Sequence, residues 1–302
     1  MALQKEIWID SIQEVLYRNS AFIQKGTNHS EFVSNKTVHL PQAGALGAIT
    51  KDRSSFPATI AQRTDSELTY NLSSFDVAPI HITDVEELQT SYNKRVSVLN
   101  SHTGALSERI GDELAYLWGA TGSDAIFRTS GSASSDALAP SATGTRFAIT
   151  KDDVRKMAKK LDKDNAPMNG RFLVLPTDMY YQLFADSTLV SRDYMERASQ
   201  ESGVLTQLYG FNIMARPVVN VYDDSALPVK KAVGAAGAAT DHLGALAFQM
   251  DYVSFAQGDI KVFADENKPE YYGSIFSAMV MMGGSILRTD QKGVAALVQT
   301  EA

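Results

Sequence analysis

Cysteine is absent from this 302-residue sequence, and histidine occurs only five times. Without cysteine the chain can form neither a disulfide nor a thiolate metal site. The histidines show no His-Glu-x-x-His or other ligand spacing, and no Gly-x-Ser-x-Gly motif supplies a nucleophile. They lie at positions 29, 39, 81, 102 and 242. We therefore expect no metal, no cofactor and no catalytic residue, and hence a protein that is not an enzyme.

Basic residues are too few for a dedicated nucleic-acid reader. The chain has 28 Lys and Arg against 35 Asp and Glu, a net charge of −7, whereas such proteins carry a basic surface. A surface that faces nucleic acid without gripping it remains compatible with this charge. The most basic stretch, residues 151–163, is a predicted helix. Its charged face is interpreted either as solvated or as a phosphate contact.

Long apolar runs are also missing. Glu6 and Asp10 interrupt the N-terminal stretch, so it does not resemble a signal peptide. No segment approaches the roughly 20 apolar residues of a membrane helix. We therefore expect a soluble protein made in a cytoplasm. A hydrophobic content of 44% with 21% charged residues is typical of a chain that folds around a core.

The glycine-rich stretches do not form phosphate-binding motifs. Residues 129–135 lack the Gly-Lys-Ser/Thr ending of a P-loop, and residues 234–239 lack the spacing of a dinucleotide fingerprint. Both are predicted to be loops, the second of them a mobile tip.

The dominant positive feature is a helical apolar repeat from residue 83 to residue 118. Thr83 and Glu86 match a capping box, and the predicted helix would be roughly 50 Å long. Residues 100–104 interrupt it with poor helix formers, since an interior glycine such as Gly104 costs about 1 kcal/mol. The chain could bend or break there, but one helix is predicted because the apolar phase continues. The repeat consists of Val85, Leu88, Tyr92, Val96, Leu99, Leu106, Ile110, Leu114 and Leu117.

Strand-forming segments precede this helix and predict a two- or three-stranded ribbon. They cover residues 37–40, ending at Pro41, and residues 58–60, 67–72 and 77–82. Such a ribbon is only marginally stable alone. It is interpreted either as solvated or as pairing with another subunit, and Arg53, Arg63, Asp65 and Glu67 lie on it.

The remaining segments alternate helices and strands. An amphipathic helix with Trp8 is predicted at residues 5–18, followed by a polar arm or linker at 19–36. Thr150 is predicted to cap a helix that buries Val154, Met157, Ala158 and Leu161. A strand at 171–175 and a helix from Thr177 follow. Further strands are predicted at 211–214, 218–222, 244–250, 260–263 and 294–298, with a short helix at 251–256 and a bulge at Gly283–Gly284 within 274–288.

This order of elements resembles the major capsid protein of tailed bacteriophages, with the HK97-like or Johnson fold. Several local sequences are similar to that family: 37–44 (TVHLPQAG), 53–58 (RSSFPA), 63–65 (RTD), 172–181 (FLVLPTDMYY), 208–211 (LYGF), 258–263 (GDIKVF), 271–273 (YYG) and 284–288 (GSILR). Together they cover essentially the whole chain.

The resemblance implies an α+β fold with five parts. These are an N-terminal arm (1–36), an extended β loop (37–83), a peripheral domain (84–185) with a spine helix (84–118), an axial domain (186–255), and a C-terminal return to the peripheral domain (256–302). It also implies hexamers and pentamers of an icosahedral shell around double-stranded DNA, assembled in a bacterial cytoplasm. Portal, scaffolding and cement proteins are the expected further partners.

Two sets of residues are candidates for roles in such a shell. Arg53, Arg63, Asp65, Glu67 and Trp8 are candidates for inter-subunit contacts. Gly44, Gly47 and Gly104 are candidates for flexible joints that let one chain occupy unequal positions. Two alternatives remain open at this point: a shell protein of an encapsulin-type nanocompartment and, less favoured, a soluble α/β enzyme.

Overall fold

The computed structural model describes residues 21–42, 44, 49, 51–54, 56–57, 60, 63, 65–83, 94–185 and 207–302. Its helices are α1 (Lys94–Trp118), α2 (Lys151–Lys163) and α3 (Thr177–Phe184). Its strands are β1 (Thr27–Asn28), β2 (Val33–Ser34), β3 (Thr37–Gln42), β4 (Ser66–Asn71), β5 (Ser73–Asp76), β6 (Ile80–Thr83), β7 (Ile126–Arg128), β8 (Ala133–Ser134), β9 (Arg146–Phe147), β10 (Arg171–Pro176), β11 (Gln207–Leu208), β12 (Phe211–Arg216), β13 (Asn220–Tyr222), β14 (His242–Gln249), β15 (Val253–Lys268), β16 (Gly273–Ile286) and β17 (Val294–Val298).

A seven-stranded mixed sheet forms the centre of the body. Its order is β11-β12-β10-β14-β17-β7, and β13 pairs with β14 as well. Strand β14 is buried along its whole length, because hydrophobic layers cover both faces of the sheet. Leu246 and Phe248 face one layer, whereas Ala245 and Ala247 face the other. The strands predicted at 171–175, 211–214 and 294–298 are confirmed.

Helices α2 and α3 cover one face of this sheet. The side chain of Thr150 accepts a hydrogen bond from the Asp153 backbone N–H, and the Asp153 carboxylate accepts one from the Thr150 backbone N–H. Together the two bonds form a capping box. The predicted apolar stripe of α2 is buried as expected, at Val154, Met157, Ala158 and Leu161. Helix α3 begins at Thr177, directly after β10, as predicted.

Helix α1 covers the opposite face and is continuous through Gly104, so the chain does not break there. Between Leu99 and Leu106 the apolar repeat lacks one member, and Thr103 occupies that position. Thr103 is buried, and its hydroxyl donates to the Asn100 carbonyl at 3.2 Å. The predicted start of the helix, including Glu86, lies outside the described residues. Thr83, the expected cap, is the last residue of β6.

The long antiparallel hairpin β15–β16 forms a second sheet. Strand β1 pairs with β15, while β5 and β6 pair with β16. The helix predicted at 251–256 is wrong: a single 3₁₀ turn covers Met250–Tyr252, and β15 begins at Val253. Val253 and Phe255 are buried and pair with Ile286 and Gly284, so tertiary pairing decides their conformation.

The bulge predicted at Gly283–Gly284 is also misplaced. These glycines pair regularly with Ala256 and Phe255, and the register shift lies on β15 between Gln257 and Ile260. The glycine at 284 is needed for a different reason. A Cβ there would lie 2.7 Å from Leu114 Cδ2 and 2.8 Å from the Ser254 carbonyl oxygen, so it permits close contact between the hairpin and α1.

The segment predicted as an arm or linker packs against the body from Phe22 onward. Phe22 and Ile23 are buried, and the Phe22 ring meets Trp118 edge to face at 5.7 Å between centroids. Two residues, Thr27 and Asn28, then form β1 beside β15. The helix predicted at 5–18, with Trp8, lies outside the described residues.

Two strands of the predicted ribbon, β3 and β4, are confirmed and pair with each other. The third strand of this sheet is β2, from the segment predicted as an arm or linker. The strand predicted at 77–82 begins only at Ile80, as β6, and pairs with β16 of the second sheet instead. Strand β3 continues through Pro41 to Gln42, two residues past its predicted end. Proline is tolerated there because β2 pairs only with Thr37 and Val38, which leaves that side of Pro41 without a ladder partner among the described strands. Ile60 is not part of a strand, and residues 58 and 59 lie outside the described residues.

Candidate functional site

The far end of the ribbon is closed by charged side chains from within the chain. We use "ribbon" for β2, β3 and β4 together with the connecting residues 43–65. Arg63 Nε lies 2.6 Å from Asp65 Oδ1, and that oxygen also accepts the Gly44 backbone N–H at 2.8 Å. These two hydrogen bonds, the one from Arg63 foremost, hold the pKa of Asp65 below its usual range.

A second pair crosses the ribbon between β3 and β4. His39 Nδ1 lies 2.6 Å from Glu67 Oε1. Three of the predicted contact residues, Arg63, Asp65 and Glu67, therefore have partners inside their own subunit. Arg53 is exposed, while Trp8 and Gly47 lie outside the described residues.

Large apolar side chains project from the connecting residues of the ribbon. Ile49 and Ile60 are each 96% exposed and Phe56 is 78% exposed. Their exposure was not predicted: Ile60 was assigned to a strand at 58–60, and Ile49 and Phe56 were assigned to no helix or strand. Their signal was the presence of Ile and Phe in a glycine-containing loop that could have been polar throughout.

The tip of the β15–β16 hairpin carries a second exposed group. Phe263 and Tyr271 are each 52% exposed and Tyr272 is 78% exposed. Phe263 also lines a shallow groove of about 460 Å³, together with Pro79 and Ile275. Tyr271 packs against His81 with ring centroids 5.7 Å apart. Single exposed apolar residues are ordinary on a protein surface, but groups of them mark interaction sites.

The loop between β13 and β14, residues 223–241, is held at its base by charged groups. Asp223 accepts the Val229 N–H at 2.8 Å, and Lys231 Nζ lies 2.7 Å from Asp241 Oδ2. The hydrogen bond that Asp223 accepts from Ser225 lowers its pKa more than any other contact does. Asp223 therefore has a local structural role in this turn.

Two basic residues on this side of the molecule are removed from solvent, Arg146 completely and Lys230 in part. Lys230 Nζ donates to the Gly119 carbonyl at 2.8 Å and also to the Tyr116 carbonyl, at the C-terminal end of α1. Burial lowers the pKa of Lys230 to about 8. Arg146 donates to four backbone carbonyls and to His242. Sequence reasoning assigned neither residue a role.

The basic face of α2 is partly neutralised by acidic residues on the same helix. Arg155 contacts Asp152 at 3.1 Å and Lys156 contacts Asp153 at 2.8 Å. Lys160 contacts Asp164, at the end of the helix, at 2.6 Å. These pairs favour the interpretation of a solvated face over that of a phosphate contact.

The described part of the chain contains no group of three or more His, Asp or Glu side chains arranged to hold a metal ion. Among the same residues, no helix is long and apolar enough to cross a membrane.

Comparison with known proteins identifies a family from one family model and a fold from solved structures. A family model described as phage capsid protein matches residues 14–301. No curated protein matches the chain. Among solved structures, the chain is similar to the capsid of the cyanophage P-SCSP1u, with a TM-score of 0.66 and 19% identity over 92% of this chain and 86% of that chain.

Two further structures give the same result. The cyanophage Pam1 capsid has a TM-score of 0.63 at 12% identity, over 90% of this chain and 87% of that chain. The acidic stable capsid of Helicobacter pylori bacteriophage KHP30 has a TM-score of 0.62 at 11% identity, over 91% and 87%. At these identities the similarity concerns the fold.

Proposed function

The chain belongs to the phage capsid protein family, and we propose that its copies form the hexamers and pentamers of an icosahedral shell around double-stranded DNA. It is a major capsid protein with the HK97-like fold, a structural protein of the virion whose copies assemble with one another into shell capsomers. The predicted family, the fold class and the role as a major capsid protein are thereby confirmed.

We propose that the five sequence segments keep the roles that the family suggests. Residues 37–83 are the extended loop, 84–118 the spine helix within a peripheral domain that spans 84–185, and 186–255 the axial domain. Residues 256–302 return to the peripheral domain, and residues 1–36 are the arm. The β15–β16 hairpin packs against α1, which supports the return of its residues to the peripheral domain. Strand β17, by contrast, pairs with β14 of the segment 186–255.

The observation that carries the proposal is the exposure of Ile49, Phe56 and Ile60 on the ribbon. A ribbon is marginal in water and needs a surface to cover it. Apolar side chains that project from such an element would be covered when the ribbon lies on a neighbouring subunit. Burial of apolar area, at about 25 cal/mol per Å², would then favour assembly.

The charged candidates divide between two roles. Arg63, Asp65 and Glu67 fix the shape of the ribbon, because each has an intrachain partner. These three residues would then affect contacts between subunits by fixing the position of the loop. Arg53, exposed on the same loop, and Trp8 of the arm stay candidates for such contacts.

Flexible glycines would let the backbone bend, so that identical subunits could fit the different surroundings of hexamers and pentamers. Gly44 and Gly47 are proposed at the base of the loop, and Gly104 in the spine helix. A Cβ at Gly104 would meet no atom within 4 Å, so packing does not require glycine there. Its conformational freedom remains the proposed reason for it.

Further partners follow from this role. Portal, scaffolding and cement proteins are proposed to bind the shell, which is assembled in the cytoplasm of the host bacterium. The packaged DNA is proposed to lie near the shell without tight binding, because affinity for nucleic acid grows with the number of phosphates that basic residues neutralise.

Expression of the chain alone, followed by negative-stain electron microscopy and sedimentation, tests the proposal. We expect capsomers or shells from the unchanged sequence. Ile60→Asp should reduce shell yield at least tenfold, while Ser54→Asp, which adds the same charge at an exposed polar position of the same loop, should assemble normally. Small uniform oligomers of the unchanged chain under every condition would contradict the proposal. Equal yields of shells from both variants would show that the apolar side chain of Ile60 makes no contact needed for assembly.

A further inference from the structure

A cleft lies between α1 and the loop of residues 231–241, next to strand β13. Its volume is about 370 Å³, within the range of pockets that take small ligands. Asp112 of α1 forms part of one wall. The apolar part of the lining consists of Pro140, Val218, Val221, Ala232, Val233 and Ala235.

The charged residues of the described lining are paired. Asp112 lies 2.8 Å from Arg216 Nη2, and Asp241 lies 2.7 Å from Lys231 Nζ. Since these charges are already neutralised, the cleft offers little to a charged ligand. Its remaining walls are apolar and fit apolar side chains.

The N-terminal part of the described chain enters the body beside this cleft. Phe22 is buried in the same hydrophobic cluster as Val219, which also lines the cleft. Arg216 Cζ lies 5.4 Å from the centroid of the Phe22 ring, and the same guanidinium contacts Asp112 at the cleft wall. Residues 1–20, which lie outside the described residues, are therefore attached to the body within one ion pair of the cleft.

Arg216 has an unused donor at this place. Its Nη2 donates to the Glu108 carbonyl at 3.0 Å and contacts Asp112, but its Nη1 is buried and has no acceptor among the described residues. The last carbonyls of a helix lack partners within the helix, and a cation near that end is favourable. The helix that the sequence predicts at residues 5–18 ends only a few positions before Phe22. Its terminal carbonyls are thus close along the chain to a donor that needs an acceptor.

We propose that the apolar face of residues 5–18 docks in this cleft of its own subunit, with its C-terminal carbonyls at Arg216. The length of chain before Phe22 allows this, because a helix of that span is roughly 20 Å long at 1.5 Å per residue. The members of the face nearest to Phe22 would fill the cleft, namely Ile12, Val15 and Leu16.

Trp8 has a different place in this arrangement. It precedes Val15 by about 10 Å along a helix, and a cleft of about 370 Å³ holds a few side chains and not the whole face. Trp8 would therefore extend past the cleft and stay a candidate for contact with a neighbouring subunit.

The absence of cysteine in the chain allows a direct test by disulfide cross-linking of the full protein. Val15→Cys is combined with Ala232→Cys, and the control combines Glu14→Cys with the same cleft position. Residues 14 and 15 point to different sides of a helix, and a disulfide requires Cα atoms within about 7 Å, so we expect at least about fivefold more intramolecular disulfide from residue 15. Non-reducing gels separate links within one chain from links between chains, and peptide mass spectrometry identifies the bond.

Hydrogen exchange of the full chain gives a second measurement that needs no cysteine. Leu16→Asp should speed exchange of the amides of residues 232–237 by at least about fivefold, because it removes their cover. Gln13→Asp adds the same charge on another side of the predicted helix and should leave them unchanged.

Three results would overturn the proposal. Equal disulfide yields from residues 14 and 15, or equal exchange in the two Asp variants, would show that the apolar face does not occupy the cleft. Links formed mainly between chains would assign the cleft to the N-terminal segment of a neighbouring copy. Should a cysteine variant fail to fold, the exchange measurement decides.

Discussion

The central sheet and the ribbon differ in how their apolar side chains are covered. Strand β14 is buried along its whole length between two hydrophobic layers, whereas no residue of β4 is fully buried. Ion pairs follow the same division. Asp153 is inaccessible and accepts several hydrogen bonds, while the His39–Glu67 and Arg63–Asp65 pairs are about half exposed. The body is thus covered within one chain, whereas the ribbon buries Val38 and Leu40 of β3 but leaves β4 and its connecting residues at least partly exposed.

This comparison locates stability and assembly in different parts of the molecule. Substitutions in the body should lower the free energy of unfolding of the unassembled chain. Substitutions at exposed positions of the ribbon should leave that free energy nearly unchanged and act on the yield of shells. The following predictions proceed from the largest expected effect on unfolding to the smallest.

The largest effect is expected for Trp118→Ala. The indole is buried, stacks near Phe248 at 5.1 Å between centroids, and donates from Nε1 to the Ser254 carbonyl at 2.9 Å. The free energy of unfolding should fall by about 3–5 kcal/mol, as for other large aromatic deletions, measured by urea denaturation. Trp118→Phe, which keeps most of the packing, should lose much less. Equal losses would indicate that the hydrogen bond, and not the packing, dominates.

Asp153→Asn should lower the free energy of unfolding by about 1–3 kcal/mol at pH 7. Burial would raise the pKa of Asp153, but hydrogen bonds from Lys156, Ser130 and Thr150 outweigh it and lower that pKa. The contribution is therefore present above the ordinary carboxyl pKa of about 4. It is lost as the pH falls through the lower folded-state pKa.

Urea denaturation of the two proteins at pH 7 and pH 3 checks this sign. The difference between the unchanged chain and Asp153→Asn should shrink on acidification. Thr150→Ser, which keeps the capping hydroxyl, should behave like the unchanged chain. A difference that grows toward pH 3 would contradict the assignment.

Two glycines form a matched pair for the third prediction. Gly104→Ala should raise the free energy of unfolding by up to about 1 kcal/mol, because α1 is continuous there and the added methyl has open space. Gly284→Ala should lower it, because the new Cβ would meet Leu114 and the Ser254 carbonyl. Thermal unfolding of both variants measures these opposite signs.

The same Gly104→Ala variant tests the proposed joint in the spine helix. If residue 104 must flex to fit unequal positions, the variant should change the size distribution or the yield of shells seen by electron microscopy. Shells of unchanged size and yield would remove the support for a joint at this position.

The smallest effect on unfolding is expected for His39→Ala on the ribbon. An exposed ion pair contributes only a few tenths of a kcal/mol, so the free energy of unfolding should change by less than about 0.5 kcal/mol in urea denaturation. Arg63→Ala is the companion variant and should also unfold normally. A loss of 2 kcal/mol or more in either would show that the ribbon, like the body, supports the fold of the single chain.

The sequence predicted most elements whose signal is local. The Thr150–Asp153 cap and the stripe of α2 were confirmed residue by residue, because cap chemistry and helical period act within a few positions. Residues 251–256 were mispredicted because β-structure there depends on pairing with residues about 30 positions later. The exposed Ile49, Phe56 and Ile60 were missed for a related reason, since exposure is a property of the folded chain.

The order of elements and the local sequence similarities were enough to establish the family and the fold class from the sequence by itself. The family, and not the absence of cysteine or of ligand spacing, identifies a structural protein. Only the tertiary structure decided which charges have partners within the subunit, and which apolar residues remain exposed. It alone brought Arg146, Asp224 and His242 together from three separate segments. Side-chain contacts over such sequence separations follow from packing, which no local pattern encodes.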